Sequence, residues 1–233
     1  MKNKIVLVSI TSASDPNGWV RKVKRISELG IKEAALFPTT LDFEQRKKLY
    51  AALEESSLKR LPHVHLRSDM EEWEMDLFVE KYKTQVFNIH PCHSTHPFPD
   101  SFLKYKEKIF IENLIAVPEE EELNKYSGLC VDFGHWEGSR RLGNEKYNSR
   151  MRQLIKKFII GCCHISAVKK KAERDAEFSM RFTFDQHFMD DLSDLDYIKK
   201  YKELLPQYIS IELENSIDEQ LVAKKYLEKI INS

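Results

Sequence analysis

Four of the eight histidines, His65, His90, His135 and His164, stand at or just beyond the ends of short apolar runs, and His187 fits the same set. His65 closes Leu61-Pro62-His63-Val64-His65 and His90 closes Val86-Phe87-Asn88-Ile89-His90. Asp132 and His135 follow Leu129-Cys130-Val131, and His164 closes Ile160-Gly161-Cys162-Cys163-His164. Carboxylates end two more runs: Glu112 after Ile109-Phe110-Ile111, and Glu212 with Glu214 after Tyr208-Ile209-Ser210-Ile211. One histidine at the end of a strand is more often a satisfied polar residue than a ligand. A carboxylate in an apolar run is harder to dismiss, because desolvating a charge is costly unless it is paired or coordinates a metal. Taken together, these residues predict a divalent-metal site of mixed imidazole and carboxylate donors, suited to Zn or Mn and also to Fe, Co or Mg. Bridging carboxylates would let two or three ions share one cavity. Such ions polarise carbonyl or phosphoryl oxygens and lower the pKa of bound water toward about 7.

The elements that must position these groups follow from periodicity. Eight apolar or β-branched runs recur, at Ile5–Ile10, Glu33–Phe37, Leu61–Leu66, Gln85–His90, Lys108–Asn113, Leu129–Phe133, Phe158–His164 and Gln207–Glu214. Polar segments of helical spacing separate them. Trp19, Val23, Ile26 and Leu29 follow such spacing before Gly30, and Ser216 to Glu219 is a capping box opening a helix over Ile217–Ile231. The acidic run Glu119–Glu122 reads as a solvated helix start, where negative charge suits the dipole. Strand–helix repetition predicts a parallel sheet, and eight units predict a (β/α)8 barrel of class α/β, one domain over 1–233. An open doubly wound sheet is the alternative, but no G-x-G-x-x-G and no P-loop supports it. In a barrel every residue named above converges on the C-terminal rim, where such folds build active sites.

Composition bounds the rest. The chain has 233 residues, 42% hydrophobic and 11% aromatic, ample for a packed core and too apolar for disorder. With 37 basic against 37 acidic residues the net charge is zero, which disfavours a nucleic-acid partner and gives no pull toward anionic lipid. No stretch approaches the roughly 20 apolar residues of a membrane span. The run Ile5-Val6-Leu7-Val8 after Lys2 and Lys4 is too short for a signal peptide and reads as a first strand. Four cysteines (Cys92, Cys130, Cys162, Cys163) form no C-x-x-C pair, which predicts reduced thiols and a cytoplasmic protein.

The chain resembles the xylose isomerase-like TIM-barrel superfamily, which includes sugar isomerases and epimerases and also endonuclease IV. The likeness covers nearly the whole chain. It is carried by Cys130-Val131-Asp132-Phe133-Gly134-His135, which looks like the family's D-x-x-H at strand six, by His164 at a strand end, by Asp185-Gln186-His187, which looks like a D-x-H of the endonuclease branch, and by Ile211-Glu212. The resemblance implies a central metal site of Glu112, Asp132, His164 and Glu212. In the endonuclease-like branch His65 and His90 complete a second site, and His135, Asp185 and His187 form a third. In the isomerase branch His135 contacts substrate instead. Glu214 is an alternate for Glu212, and His63 for His65. Phe188-Met189-Asp190-Asp191 stands where the family often has a Gly-rich turn.

Two chemistries follow. In an isomerase or epimerase of a small sugar or sugar phosphate, one of Glu112 and Glu212 takes a proton alpha to a carbonyl and the other returns it. Arg67, Lys169 and Arg181 are candidates for binding a phosphate or hydroxyls, although each suits a surface charge better. In a multinuclear phosphoesterase, an ion-bound hydroxide attacks phosphorus. Zero net charge and short length favour the small sugar; the number of ligands favours the phosphoesterase. A barrel that binds a ligand without catalysis is the third alternative, and a homo-oligomer is compatible with all three. The run Lys169-Lys170-Lys171 reads as a solvated helix face. Trp19 and Trp73 read as helix packing, and Trp136, next to His135, as pocket lining or packing.

Overall fold

The computed structural model describes residues 3–12, 15, 17–92, 97–174 and 182–232. Strands β1 (Ile5–Leu7), β2 (Ser9–Thr11), β3 (Ala35–Phe37), β4 (His63–His65), β5 (Val86–Ile89), β6 (Ile109–Glu112), β7 (Leu129–Asp132) and β8 (Ile160–Ile165) lie in one parallel sheet with a late strand, Tyr208–Ile211. The sheet's two edges are β1 and β2, which are one stretch of chain divided only at Val8. β1 pairs with Tyr208–Ile211 and β2 pairs with β3, so the first stave closes the sheet on itself. The result is a (β/α)8 barrel whose eight staves fall on the eight apolar runs of the sequence.

The strands are apolar because both faces are covered. One set of side chains, including Ile111, Leu129, Val131, Cys163, Ile165 and Ile209, packs outward with the helices in the main core. The alternate set fills the barrel: Val86, Phe110, Cys130 and Cys162 form its floor, with Tyr208 packed against them. Gly161 has no Cβ because the Phe110 ring takes that space; a Cβ there would lie 2.1 Å from it.

The outer layer comprises α1 (Gly18–Glu28), α2 (Phe43–Glu55), α3 (Glu72–Glu80), α4 (Glu120–Lys125), α5 (Phe133–Arg141), α6 (Glu145–Lys157) and α7 (Ile217–Asn232). The acidic run opens α4, and Ser216 and Glu219 cap α7 reciprocally. α1 buries Trp19, Val23 and Ile26, but Leu29 lies past its end and is 40% exposed.

The structure departs from regular strand–helix alternation after β8. There the chain forms an antiparallel hairpin, β9 (Ala167–Arg174) with β10 (Phe182–Gln186), followed by 3₁₀ turns at Leu192–Lys200 and Lys202–Leu204 and then the last stave, β11 (Tyr208–Ile211). Lys169-Lys170-Lys171 is therefore strand, not helix. Lys169 is buried and neutralised by Asp190 (2.7 Å) and Asp194 (2.9 Å), both distant in sequence. 3₁₀ turns at Asp100–Lys108 likewise stand between β5 and β6. Trp136 packs, stacked on Phe133 and against Tyr201, and is 4% exposed. Trp73 is 41% exposed, edge-on to Phe43 and Tyr50. Among the described residues no helix is long and apolar enough to cross a membrane. Cys130, Cys162 and Cys163 are free and buried, and Cys92 is free and exposed.

Candidate metal centre

Six of the eight staves, β4 to β8 and β11, contribute a donor at or just past their C-terminal ends. Register puts Asp132 of β7 beside His164 of β8, and His164 beside Ser210 of β11, two residues before Glu212. β6 ends in Glu112 and β4 in His65. All five groups are buried: His65, Glu112, Asp132, His164 and Glu212 are at most 6% exposed. Donor atoms of Glu112, Asp132, His164 and Glu212 lie within 4.8 Å of one another. Two further sets flank them at the same spacing, His65–His90–Glu112 and Asp132–His135–Asp185. Glu112 and Asp132 each belong to two sets, so the three groups form one continuous cluster.

Neighbours fix the donors. His65 Nδ1 donates to the Leu66 carbonyl (2.7 Å), which directs Nε2 toward Glu112 Oε2, 3.2 Å away. Asn88 Nδ2 donates to the same Glu112 oxygen (2.5 Å), while Asn88 Oδ1 meets His63 Nε2 (2.9 Å). Asn113 clamps the Asp132 backbone, accepting its N–H and donating to its carbonyl, each at 2.9 Å. Asp132 Oδ1 accepts the His135 N–H at the start of α5 (2.7 Å). His135 Nδ1 meets Asp185 Oδ2 (2.5 Å), and Ser166 donates to Asp185 Oδ1. A register shift between Thr183 and Asp185 aims Asp185 at this pair. Gly134 makes room: a Cβ there would stand 1.9 Å from Ser166 Oγ and 2.4 Å from Asp185 Oδ1.

Despite these contacts, several buried atoms facing the centre have no hydrogen bond among the described residues: His65 Nε2, Asp132 Oδ2, and both His164 nitrogens. His164 Nδ1 is 2.9 Å from Glu212 and 3.4 Å from Glu112, but neither contact is aligned as a hydrogen bond. Each such buried atom costs about 1–3 kcal/mol.

Charge is shared across the cluster. Burial opposes an imidazolium at His164, but Glu112 and Glu212 overcome it and hold its pKa well above the ordinary value. Burial pushes both glutamates up, and His164 overrides it and holds both well below the carboxylate range. Burial, with Asp185 and Glu212 adding to it and His135 opposing, pushes Asp132 up to about 7. Burial and the neighbouring His65 push His90 down to about 4. A proton on His164 would occupy the place a cation would take, so the two would compete for the same donors.

The structure brings together His65, His90, Glu112, Asp132, His135, His164, Asp185 and Glu212. His187 stands one step out, its ring 6.5 Å from that of His135, and Asp132 takes its place in the third donor set. The reason is the backbone: past the hairpin, the His187 carbonyl accepts the Glu214 N–H (2.6 Å), which ties the segment to the last stave. Of the two alternates, Glu214 lines a neighbouring cleft, leaving Glu212 at the centre. His63 lies deeper, with both ring nitrogens hydrogen-bonded, to Ser210 (2.7 Å) and Asn88, and it joins Cys130 and Cys162 in a separate donor set under the centre. Arg67 pairs with Asp69. Arg181 lies outside the described residues. Asn88, Asn113 and Ser166 carry no signal in the sequence, since each matters only through a neighbour from another strand.

No family model matches the sequence, and no curated protein matches it. Solved structures do. A xylose isomerase-like TIM barrel/4-hydroxyphenylpyruvate dioxygenase fusion protein matches over 92% of this chain and 39% of its own longer chain, at 11% identity and TM-score 0.47. A D-tagatose 3-epimerase-like protein matches over 97% and 98%, at 17% identity and TM-score 0.46. The 3-keto-D-glucoside 4-epimerase of E. coli matches over 99% and 100%, at 11% identity and TM-score 0.43. The likeness is one of overall architecture at low identity.

Proposed function

We propose that this barrel is a divalent-metal-dependent isomerase or epimerase of a small sugar or sugar phosphate. One observation carries the reading: four acidic and imidazole side chains from four staves converge at the C-terminal mouth, where both His164 nitrogens and Asp132 Oδ2 are buried without a hydrogen bond among the described residues. Those open valences fit a cation. The mixed N and O donor set suits Zn or Mn, with Fe, Co or Mg as further choices. Glu112, Asp132, His164 and Glu212 would hold it. When bound, such a cation supplies positive charge against the negative charge that develops on a substrate oxygen.

The remaining chemistry belongs to the chain. Glu112 and Glu212 come from staves separated by β7 and β8, so they approach the centre from two directions. One carboxylate takes the proton alpha to the substrate carbonyl and the other returns it, as general base and general acid. Asn88 orients Glu112 through its 2.5 Å hydrogen bond. His135, only partly buried, is the group that meets substrate from the rim. The deeply buried walls exclude bulk water, which strengthens every electrostatic interaction inside.

The test is solvent exchange. Protein loaded with Mn or Zn, incubated in deuterium oxide with aldoses and ketoses and their phosphates, is expected to place deuterium next to the carbonyl, and a chelator to stop it. No incorporation across the panel overturns the reading.

A second reading, a multinuclear phosphoesterase, is favoured by the two flanking donor sets and their shared carboxylates. It predicts three bound ions and chelator-sensitive cleavage of simple phosphodiesters or abasic DNA. One ion by elemental analysis, with no cleavage, eliminates it.

A further inference from the structure

Between the first and last staves, next to the metal centre, the rim opens into a cleft of about 450 Å³ lined by Thr11, Lys22, Phe188, Glu214 and Ile217 together with charged residues of α1 and α7. The volume falls within the range of small-molecule sites, about 300–1,000 Å³. The metal-centre chemistry described above uses none of these residues.

Glu214 and Lys22 tie the cleft to the end of the last stave. Glu214 follows Glu212 by two residues, and its N–H is held by the carbonyl of His187, the residue before Phe188. Thr11 ends the first stave, is 2% exposed, and its hydroxyl has no hydrogen-bond partner among the described residues. Lys22 is 5% exposed and donates to the carbonyls of Leu213 (2.8 Å) and Thr11 (3.5 Å). Two carbonyls use two of the three donors of an ammonium. Burial pushes Lys22 down to about 8, against the pull of Glu214 and, more weakly, Glu212.

The cleft's other positive groups are already neutralised. Arg21 pairs with Asp15 (2.7 Å). Arg25 forms a two-bond fork with Asp218 (2.7 and 2.8 Å) and also holds Glu28 (2.9 Å). The start of α1, where an anion would otherwise sit, is covered by Asp15, whose carboxylate accepts the Asn17 N–H (2.9 Å) and whose carbonyl accepts that of Gly18 (2.9 Å). Glu214 adds a further carboxylate to the lining. A phosphate entering here would meet carboxylates already bound to both arginines, and the Glu214 carboxylate whose charge acts on Lys22. Uncharged hydroxyls would meet a spare threonine hydroxyl, an ammonium and a carboxylate, with Phe188 and Ile217 against the C–H faces.

We infer that this cleft is a hydroxyl-binding subsite for the uncharged, polyhydroxylated end of the substrate, so that the enzyme takes a neutral sugar and not its terminal phosphate. The inference rests on the isomerase/epimerase reading and narrows its substrate class.

The test is binding, read apart from turnover. Mn-loaded protein is titrated with D-fructose and D-xylulose and with their terminal phosphates, by saturation-transfer NMR. The neutral ketoses are expected to bind about tenfold more tightly than the phosphates (about 1.4 kcal/mol). In Thr11→Val, nearly isosteric, the neutral ketoses weaken about fivefold, the scale of one lost neutral hydrogen bond, and saturation at the protons farthest from the carbonyl is lost. Lys22→Met is expected to act in the same direction, with its thermal melt checking the fold. Phosphates binding as tightly as the neutral sugars, unchanged binding in Thr11→Val, or no neutral ketose binding at all would each overturn the inference. The deuterium-exchange assay separates the two ideas, because exchange into a sugar phosphate alone keeps the isomerase and sinks only the neutral-sugar subsite.

Discussion

Charge is buried both on the outside of the barrel and at its mouth, in opposite ways. On the outside of the barrel, Arg46 is fully buried, yet it forms a fork with Glu74 (2.7 and 3.1 Å), reaches Asp69 and the Leu41 carbonyl, and shares Glu74 with the Tyr50 hydroxyl (2.6 Å). Glu137 is similar, held by Arg140, Arg141, Lys200 and Tyr201. In these clusters the charges answer one another. At the barrel mouth the charges are as deeply buried, but His164 and Asp132 keep atoms that make no hydrogen bond among the described residues. Burial of charge alone therefore does not distinguish the barrel mouth; buried charge with atoms left without hydrogen bonds does.

The largest effect that would break this contrast is catalytic. Glu112→Gln should lower metal-dependent deuterium exchange by about 10²–10⁴-fold. Exchange at the wild-type rate would remove Glu112 from the chemistry. The mirror experiment is Arg46→Met, which strands Glu74 in the core and should cost about 3–5 kcal/mol by denaturant titration while leaving ion content intact. Next in size is the ion's own contribution. Mn at a hundred times its Kd should stabilise the protein by about 2.7 kcal/mol, and His164→Ala should abolish the increment. A rise in melting temperature that survives His164→Ala would mean the ion binds elsewhere.

A smaller effect comes from acid. Burial raises the Glu137 carboxyl, but its cations and Tyr201 outweigh this and hold it well below the usual range. Its contribution is therefore present above the unfolded carboxylate pKa, near 4.3, and is lost as pH falls below that value toward the folded one. Glu137→Gln should flatten the acid limb of the stability–pH curve. The smallest expected change is in Glu214→Gln, which should leave the bound-ion count at its wild-type value. A loss of ions would return Glu214 to the ligand set in place of Glu212.

Much of this was legible from residue order. Parallel staves covered on both faces must be apolar, so a His, Asp or Glu at the end of such a run stands out, and Glu112, Asp132, His164 and Glu212 were each visible in that way. The hairpin after β8 was not. Lys169-Lys170-Lys171 reads as a solvated surface in one dimension, and only Asp190 and Asp194, folded back on it, make Lys169 a buried strand residue. The place of His187 was also hidden, because its distance from the centre depends on how the segment after the hairpin is tied to Glu214.

The sequence by itself determined the number of staves, their inward-facing polar ends and the kind of chemistry those ends can support, because hydrophobic period and residue type are local properties. Only the tertiary structure decided which donors share an atom's-length neighbourhood, that Glu212 and not Glu214 faces the centre, and that the arginines of the neighbouring cleft are already paired. Those outcomes depend on stagger between staves and on partners from distant parts of the chain, and no local pattern encodes a distance across a closed barrel.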